Sequence, residues 1–227
     1  FAKVINSMDP DSTVFHSHDA LRSGPLLFAC RRRGFKHRVL HSHTDSFKGS
    51  PRRYFAQPIL FLTNGLASHY FACSTEAGRF MFPGRKVSVF KNAIDLSRFA
   101  FDRDARDVLR TKLGIPRGAV VIGHTGRFTF QKNHDWIVRV FAKFAELRGD
   151  SYLLLVGAGP LENEIRSLAK DLALSHRVIF AGSRNDVPAC LSAMDLFCLP
   201  SHFEGLPLSL IESQANGLPS LVSAVIS

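Results

Sequence analysis

Cysteine is scarce in this sequence, and long apolar runs are missing. Only four cysteines occur in 227 residues, Cys30, Cys73, Cys190 and Cys198, and no two stand as Cys-x-x-Cys. That excludes a disulfide frame and a cysteine-based zinc site, so the four read as small apolar residues in a reducing compartment. The cytoplasm is the expected location. No apolar stretch reaches the length needed to span a bilayer. No secretory leader is visible, and the chain opens mid-pattern at Phe1, so the native N-terminus is expected to be missing. Repeats and low-complexity segments are absent. The basic residues are not interleaved with aromatic ones, which argues against RNA, and no nucleic acid is expected as a partner.

What is present describes a globular protein. Hydrophobic residues make up 45% of the chain, enough for two small domains or one large one, and charged residues make up 21%. The net charge of +10 is lopsided. Residues 1–100 hold 15 basic and 6 acidic side chains, while residues 101–227 hold 14 and 13. Arg31, Arg32, Arg33, Lys36, Arg38, Lys48, Arg52 and Arg53 carry much of the excess. Two readings stand: contact with something anionic, such as a lipid surface or a phosphorylated acceptor, or a solvated basic face.

Strand-like and helix-like segments alternate along the second half. AVVIGHT (119–125), YLLLVG (152–157), HRVIFAG (176–182), DLFCLPS (195–201) and LPSLVS (218–223) are apolar runs of strand length. Between them, residues 133–147, 161–174, 187–194 and 206–217 carry apolar residues at helical spacing. Buried strands alternating with helices imply βαβ units and a parallel sheet covered on both faces. The first half repeats the theme less clearly, with strands expected at 13–18, 38–43, 70–74 and 87–90. Residues 91–100 lack periodicity and read as a link. The expectation is two Rossmann-like domains, 1–95 and 96–227, with a ligand cleft between them beyond the carboxyl ends of the strands.

Three segments carry chemistry. In SHFEGLPLSLIES (201–213), seven residues separate Glu204 from Glu212. Gly205 permits close backbone approach, and the following helix offers free N–H groups to an anion. A helical span of eight residues covers roughly 12 Å, which would let two carboxylates accept hydrogen bonds from opposite ends of one ligand. The alternative is a helix-dipole carboxylate at Glu204 and an exposed Glu212. In GHTGRFTFQKN (123–133), Gly126 ends a strand and Arg127 and Lys132 follow, cations able to clamp a diphosphate and to meet the charge of a leaving phosphate. The alternative is two surface cations. LLLVGAGPLENE holds a Gly-x-Gly turn at Gly157 that lacks the third glycine of the dinucleotide pattern.

Taken together, KNAID, GRFTFQKN, LLLVGAGPLENEI, VIFAGSRNDVP, DLFCLPSHFEGLPLSLIE and QANGLPSLVS resemble the glycogen-synthase-like, group 1 glycosyltransferases, in the family's order and roughly its spacing over residues 87–223. The resemblance implies a GT-B fold truncated at both ends, lacking the glycine-rich first loop and the returning C-terminal helix. It implies a retaining transferase that uses a nucleotide-sugar, with UDP the expected nucleotide, and needs no metal or cofactor. Arg127 and Lys132 map onto the family's diphosphate-binding pair, and Glu204 and Glu212 onto its Glu-x7-Glu element. In that element the second glutamate binds ribose and the first lies by the donor sugar. Gly126, Gly157, Gly205, Leu206 and Pro207 map onto backbone near the donor, and Arg184 onto a base contact. The first half resembles the acceptor domain of exopolysaccharide and capsule enzymes. Their active-site histidine maps onto His43, with His41 the register alternative. Expected partners are the donor, a glycan or lipid-linked acceptor, and an anionic membrane surface at the cytoplasmic face. The competing readings are a nucleotide-sugar epimerase of similar fold, a histidine metal hydrolase and an inactive binding remnant.

His16, His18, His41 and His43 admit a reading of their own. His-x-His on a strand puts both rings on one face, and two such strands side by side could hold a metal. No carboxylate partner is evident, so no metal is assigned, and His16 and His18 are expected to line the cleft as polar residues.

Overall fold

The computed structural model describes residues 2–44 and 56–224. Lys48, Arg52 and Arg53 lie outside the described residues. The chain divides into two units, Phe1–Asn92 with Phe203–Leu206, and Ala93–His202 with Pro207–Ser227.

The first unit carries a four-stranded parallel sheet of β1 (Val14–Ser17), β2 (His37–Ser42), β3 (His69–Ala72) and β4 (Val87–Val89) in that spatial order. Helices α1 (Ala2–Ser7), α2 (Gly24–Arg32), α3 (Ala56–Asn64) and α4 (Thr75–Met81) connect and flank these strands. Leu27, Leu40, Leu60, Met81 and Phe82 form its main core. Asn64 ties α3 to the end of α4 by donating to the carbonyl of Met81 at 3.0 Å. Ser74 caps α4, accepting from the amide of Ala77 at 3.1 Å.

The second unit is a five-stranded parallel sheet in the order β7-β6-β5-β8-β9, with β5 at Val120–Thr125, β6 at Ser151–Val156, β7 at Val178–Gly182, β8 at Leu196–Leu199 and β9 at Ser220–Val222. Its helices are α5 (Arg103–Lys112), α6 (His134–Leu147), α7 (Glu162–Asp171), α8 (Val187–Ser192) and α9 (Leu208–Ala215). The buried strands alternate their side chains between two cores. Val121, Leu154, Val156, Phe197 and Leu199 face one core with Leu109 and Leu191. Ile122, Leu153, Leu155, Val178 and Cys198 face the other with Ile137, Phe141 and Ile165. That two-sided burial is why these strands read as unbroken apolar runs.

Asp195, just before β8, locks α5 to the sheet. Its carboxylate accepts from the amide of Val121 at 2.7 Å, from Arg106 at 2.5 Å and from Arg110 at 2.7 Å. Burial alone would raise this carboxyl, but those donors hold it below the usual range. All four cysteines are free and buried.

Several ends shift by one to three residues from the sequence reading, and one shift bears on the site. The helix expected over 206–217 begins at Leu208, with Pro207 at its N-cap. A residue before proline is pushed out of the helical region, so Leu206 stays outside. Glu204 and Glu212 are therefore not joined by eight residues of helix, and the roughly 12 Å estimate, which assumed 1.5 Å of rise per residue throughout, does not apply.

Candidate functional site

In the second unit the chain runs outward from β5 through β6 to β7, then returns to the other side of β5 for β8 and β9. The strand order reverses between β5 and β8, and in open α/β sheets ligands bind at the carboxyl ends of the strands beside such a reversal. The loop leaving β5 there, residues 126–133, contains Arg127 and Lys132.

Neighbouring loops hold that segment. The amide of Gly126 donates to the carbonyl of Val156 at 2.9 Å, and that of Phe128 to Ala158 at 3.2 Å. His202, after β8, donates its amide to Gln131 at 2.8 Å and stacks on Phe130 with ring centroids 4.4 Å apart. Asn133 adopts φ 54 and ψ 47 and donates its side-chain amide to Pro200 at 3.2 Å. The glycines of the loop after β6 are consumed by this packing. A β-carbon at Gly157 would lie 2.1 Å from the carbonyl oxygen of Gly126, and one at Gly159 would lie 2.5 Å from that of Phe128. The Gly-x-Gly turn thus brings two backbones together and so sets the height of the Arg127 loop.

Arg127 is exposed. The aliphatic stem of Lys132 runs over Gly126, 3.3 Å from where a β-carbon would stand. Beneath them His124 and His134 are buried, at 0% and 3% exposure. His124 donates Nδ1–H to the carbonyl of Cys198 at 2.7 Å. Burial, joined by the nearby charge of Lys132, pushes His134 down to about 4; burial, then His134, hold His124 well below its ordinary value. Both rings are neutral at physiological pH, so Arg127 and Lys132 supply the positive charge of this loop.

Glu212 sits mid-helix on α9, and burial raises its carboxyl against the opposing charge of Arg98. Arg184 turns its guanidinium onto Asp186, at 2.7 and 2.5 Å, so its head is engaged within its own loop. The sequence holds two Asp-x-Asp triplets, at 9–11 and 102–104, and the first carboxylate of each is engaged within its own turn. Asp102 caps α5 by accepting from Ala105 at 2.9 Å, and Asp9 accepts from the amide of Asp11 at 3.2 Å and the hydroxyl of Ser12 at 2.5 Å.

In the first unit the carboxyl ends of β1 and β2 bring four imidazoles together. His16 and His41 share a hydrogen bond of 3.3 Å, and His18 and His43 one of 2.8 Å. Phe71 closes one side, edge-on to His16 and His41. His41 is 9% exposed and, through burial and its three histidine neighbours, drops to about 4. His43 is exposed; burial and then His18 lower it, while a hydrogen bond to Asn92 opposes the shift. Asn92 also donates to the carbonyl of Leu206 at 2.9 Å. Leu206 packs against Ala72, Cys73 and Ala77, and a β-carbon at Gly205 would stand 2.6 Å from the carbonyl oxygen of His43. Gly205 is thus a close-approach glycine. Glu204 beside it is 8% exposed. Sequence reasoning passed over Asn92, whose signal was a lone amide in an otherwise unpatterned link.

A parallel α/β unit whose strand order reverses beside a cationic loop belongs to the class of open, doubly wound folds, and the first unit adds a second parallel sheet. The comparisons with known proteins narrow this. The model of the family "Glycosyl transferases group 1" matches residues 105–227, and the chain belongs to that family. EpsF from Bacillus subtilis (strain 168) is 35% identical over 232 residues, 99% of this chain and 60% of its own length. The UDP-Gal:alpha-D-GlcNAc-diphosphoundecaprenol alpha-1,3-galactosyltransferase of Escherichia coli is 37% identical over 143 residues, 62% of this chain and 37% of its own. Among solved structures, Anabaena HepE in complex with UDP and glucose superposes with a TM-score of 0.81 at 21% identity, covering 99% of this chain and 62% of HepE. The chain thus spans less than two thirds of the length of these relatives.

Proposed function

We propose that the protein transfers a sugar from a UDP-sugar to a glycan or lipid-linked acceptor in polysaccharide biosynthesis, with retention of anomeric configuration. The observation that carries this reading is the family match over residues 105–227, laid on a sheet whose order reverses beside the Arg127–Lys132 loop. A UDP-sugar donor is supported by the HepE complexes with UDP and UDP-glucose and by the name of the Escherichia coli relative.

In this mechanism Arg127 and Lys132 bind the diphosphate and stabilise the charge that grows on it as the sugar leaves. That is the work a divalent metal does in other transferases, so no metal or cofactor enters the transfer step. Backbone at Gly126, Gly157, Gly205, Leu206 and Pro207 borders the donor. Glu212 accepts from the ribose hydroxyls, and Glu204 accepts from the donor sugar. Arg184 meets the base once it releases Asp186. His43 faces the transferred sugar; its exposure, against the burial of His41, supports that register.

The working place is the cytoplasmic face of an anionic membrane. Helices α2 and α3 are linked by Arg31, which donates to the carbonyl of Gly65 at 3.3 Å. They expose Phe28 (52%), Phe61 (81%) and Leu62 (69%) beside the arginines of α2. Among the described residues no helix is long and apolar enough to cross a membrane.

The test is nucleotide release from a panel of nucleotide-sugars by the purified protein. UDP release from one UDP-sugar, kept in a chelator and reduced in Arg127→Ala, is the expected result. Release from none of them, or release abolished by the chelator, overturns it.

A further inference from the structure

Outside the Arg127–Lys132 loop, an imidazole quartet stands out among the described residues. We propose that His16, His18 and His41 form a binding site for a transition-metal ion of the zinc class. The pattern begins in sequence. His-x-His on β1 places His16 and His18 on one face, and His-x-His from β2 places His41 and His43 on the same face of the next strand. The register pairs Ser17 with Leu40, and one step further brings His18 level with His41. One ring nitrogen from each of His16, His18 and His41 lies within 4.8 Å of the others.

Zinc–nitrogen bonds of about 2.0–2.1 Å in a tetrahedron separate ligand nitrogens by about 3.4 Å, so side-chain rotation alone draws the three in. The environment of His41 adds a second observation. His41 is 9% exposed, and its Nε2 has no hydrogen-bond partner among the described residues. A buried nitrogen without a partner is costly to keep. Three imidazoles leave a fourth tetrahedral position for water or for the exposed His43. The donor set also selects the ion: imidazole without carboxylate suits zinc, copper, nickel and cobalt, and disfavours magnesium, calcium and manganese.

This site goes beyond the transferase reading and supplies nothing to the transfer step. It bears on that step in one way, which rests on the proposed role of His43. An ion that takes a nitrogen of His18 competes with the His18–His43 hydrogen bond, so bound metal slows sugar transfer.

The experiment is calorimetric titration of the purified chain with zinc chloride and, separately, magnesium chloride, together with the visible absorption of a cobalt(II) complex. One equivalent of zinc is expected, with no magnesium binding at the same concentration. The cobalt spectrum should be that of a tetrahedral site. His18→Ala, a change at an exposed position, should weaken zinc binding at least tenfold, whereas His37→Ala, in the separate His37–His69 pair, should leave it unchanged. No zinc binding, binding untouched by His18→Ala, or loss on His37→Ala instead overturns the proposal. Because binding is read without a donor, a failure of the transferase reading would leave this result standing.

Discussion

In the first unit four histidines gather where two strands end, and three of them, His16, His18 and His43, are exposed. In the second unit His124 and His134 are sealed at 0% and 3% exposure. There they act as aromatic rings: His134 stacks on Phe128 at 4.1 Å, and His124 lies parallel to Phe197 at 6.1 Å. The same side chain serves as a polar cluster in one unit and as core filling in the other. The difference follows from sequence context. Alternation with serine along a strand aligns rings on one face. A histidine inside an unbroken apolar run, or at the start of an amphipathic helix, goes into the core and surrenders its charge.

The backbone contrast between the units predicts the largest effect. Gly157 in the second unit has φ +139, and a β-carbon there meets backbone at 2.1 Å. Gly34 in the first unit has φ +87 with open space around it. Gly157→Ala should cost about 3 kcal/mol or more, from strain plus overpacking, and Gly34→Ala about 1 kcal/mol. Urea melts of both variants check this, and equal losses would mean that the two loops of the second unit part easily.

Acid should act on both units, since His41 and His134 each drop to about 4 when folded, and the share of the second unit can be isolated. His134 titrates at about 4 when folded against an unfolded value of 6.5. Between those values the unfolded chain holds the proton and the folded chain does not. The stabilisation is therefore complete above pH 6.5, falls as pH drops, and is gone below pH 4, a loss of about 3 kcal/mol. His124 adds to it in the same direction. His134→Phe, which keeps a ring against Phe128, should make the dependence shallower, with the shares of His124 and His41 remaining. A profile that stays as steep in the variant would place the acid-sensitive groups elsewhere.

Third in size is the loop of Arg127 and Lys132. Arg127→Ala or Lys132→Ala should weaken UDP binding by about 1.5–3 kcal/mol per lost contact while leaving uridine almost unaffected. Calorimetry with both ligands decides it, because equal losses would make the two cations structural.

Much of the second unit was legible because its strands are apolar on both faces and its helices amphipathic, so period and length agree. The first unit was harder to read: β4 has three residues, and Val89 and Ser88 on it are exposed. The start of α9 was misread because a local rule, the restriction before Pro207, outweighs helical periodicity over two residues. The Gly-x-Gly turn was visible as a motif, but its work in closing one loop onto another needed coordinates. So did Asn92, whose two partners, His43 and Leu206, are far from it in sequence. The His-x-His pattern announced one face on each strand. Only the parallel register showed which rings would touch.

The smallest expected effect concerns the surface of the first unit. Residues 1–100 carry 15 basic side chains against 6 acidic, whereas residues 101–227 are nearly balanced, so an anionic membrane should attract the first unit far more than the second. The arginines at the end of α2 are not all equally free. Arg31 is held by Gly65 and Arg33 donates to the carbonyl of Asn6 at 3.0 Å, while Arg32 lies 6.0 Å from the ring of Phe28. Bonds to carbonyls leave the positive charge in place and point it from a fixed surface, with Phe28, Phe61 and Leu62 at hand to enter the headgroup layer. Each basic residue near an anionic surface contributes about 1 kcal/mol, and the attraction fades with salt as the screening length falls to about 8 Å at physiological ionic strength. Replacing Arg31, Arg32 and Arg33 by serine should lower co-sedimentation with anionic vesicles by one to two orders of magnitude at low salt, and by less at high salt. Replacing Arg139, Arg148 and Arg166 of the second unit, each already paired with Asp135, Asp150 or Glu162, should change little. Binding indifferent to anionic lipid content, or lost equally from both triple variants, would mean that the basic face is a solvated surface.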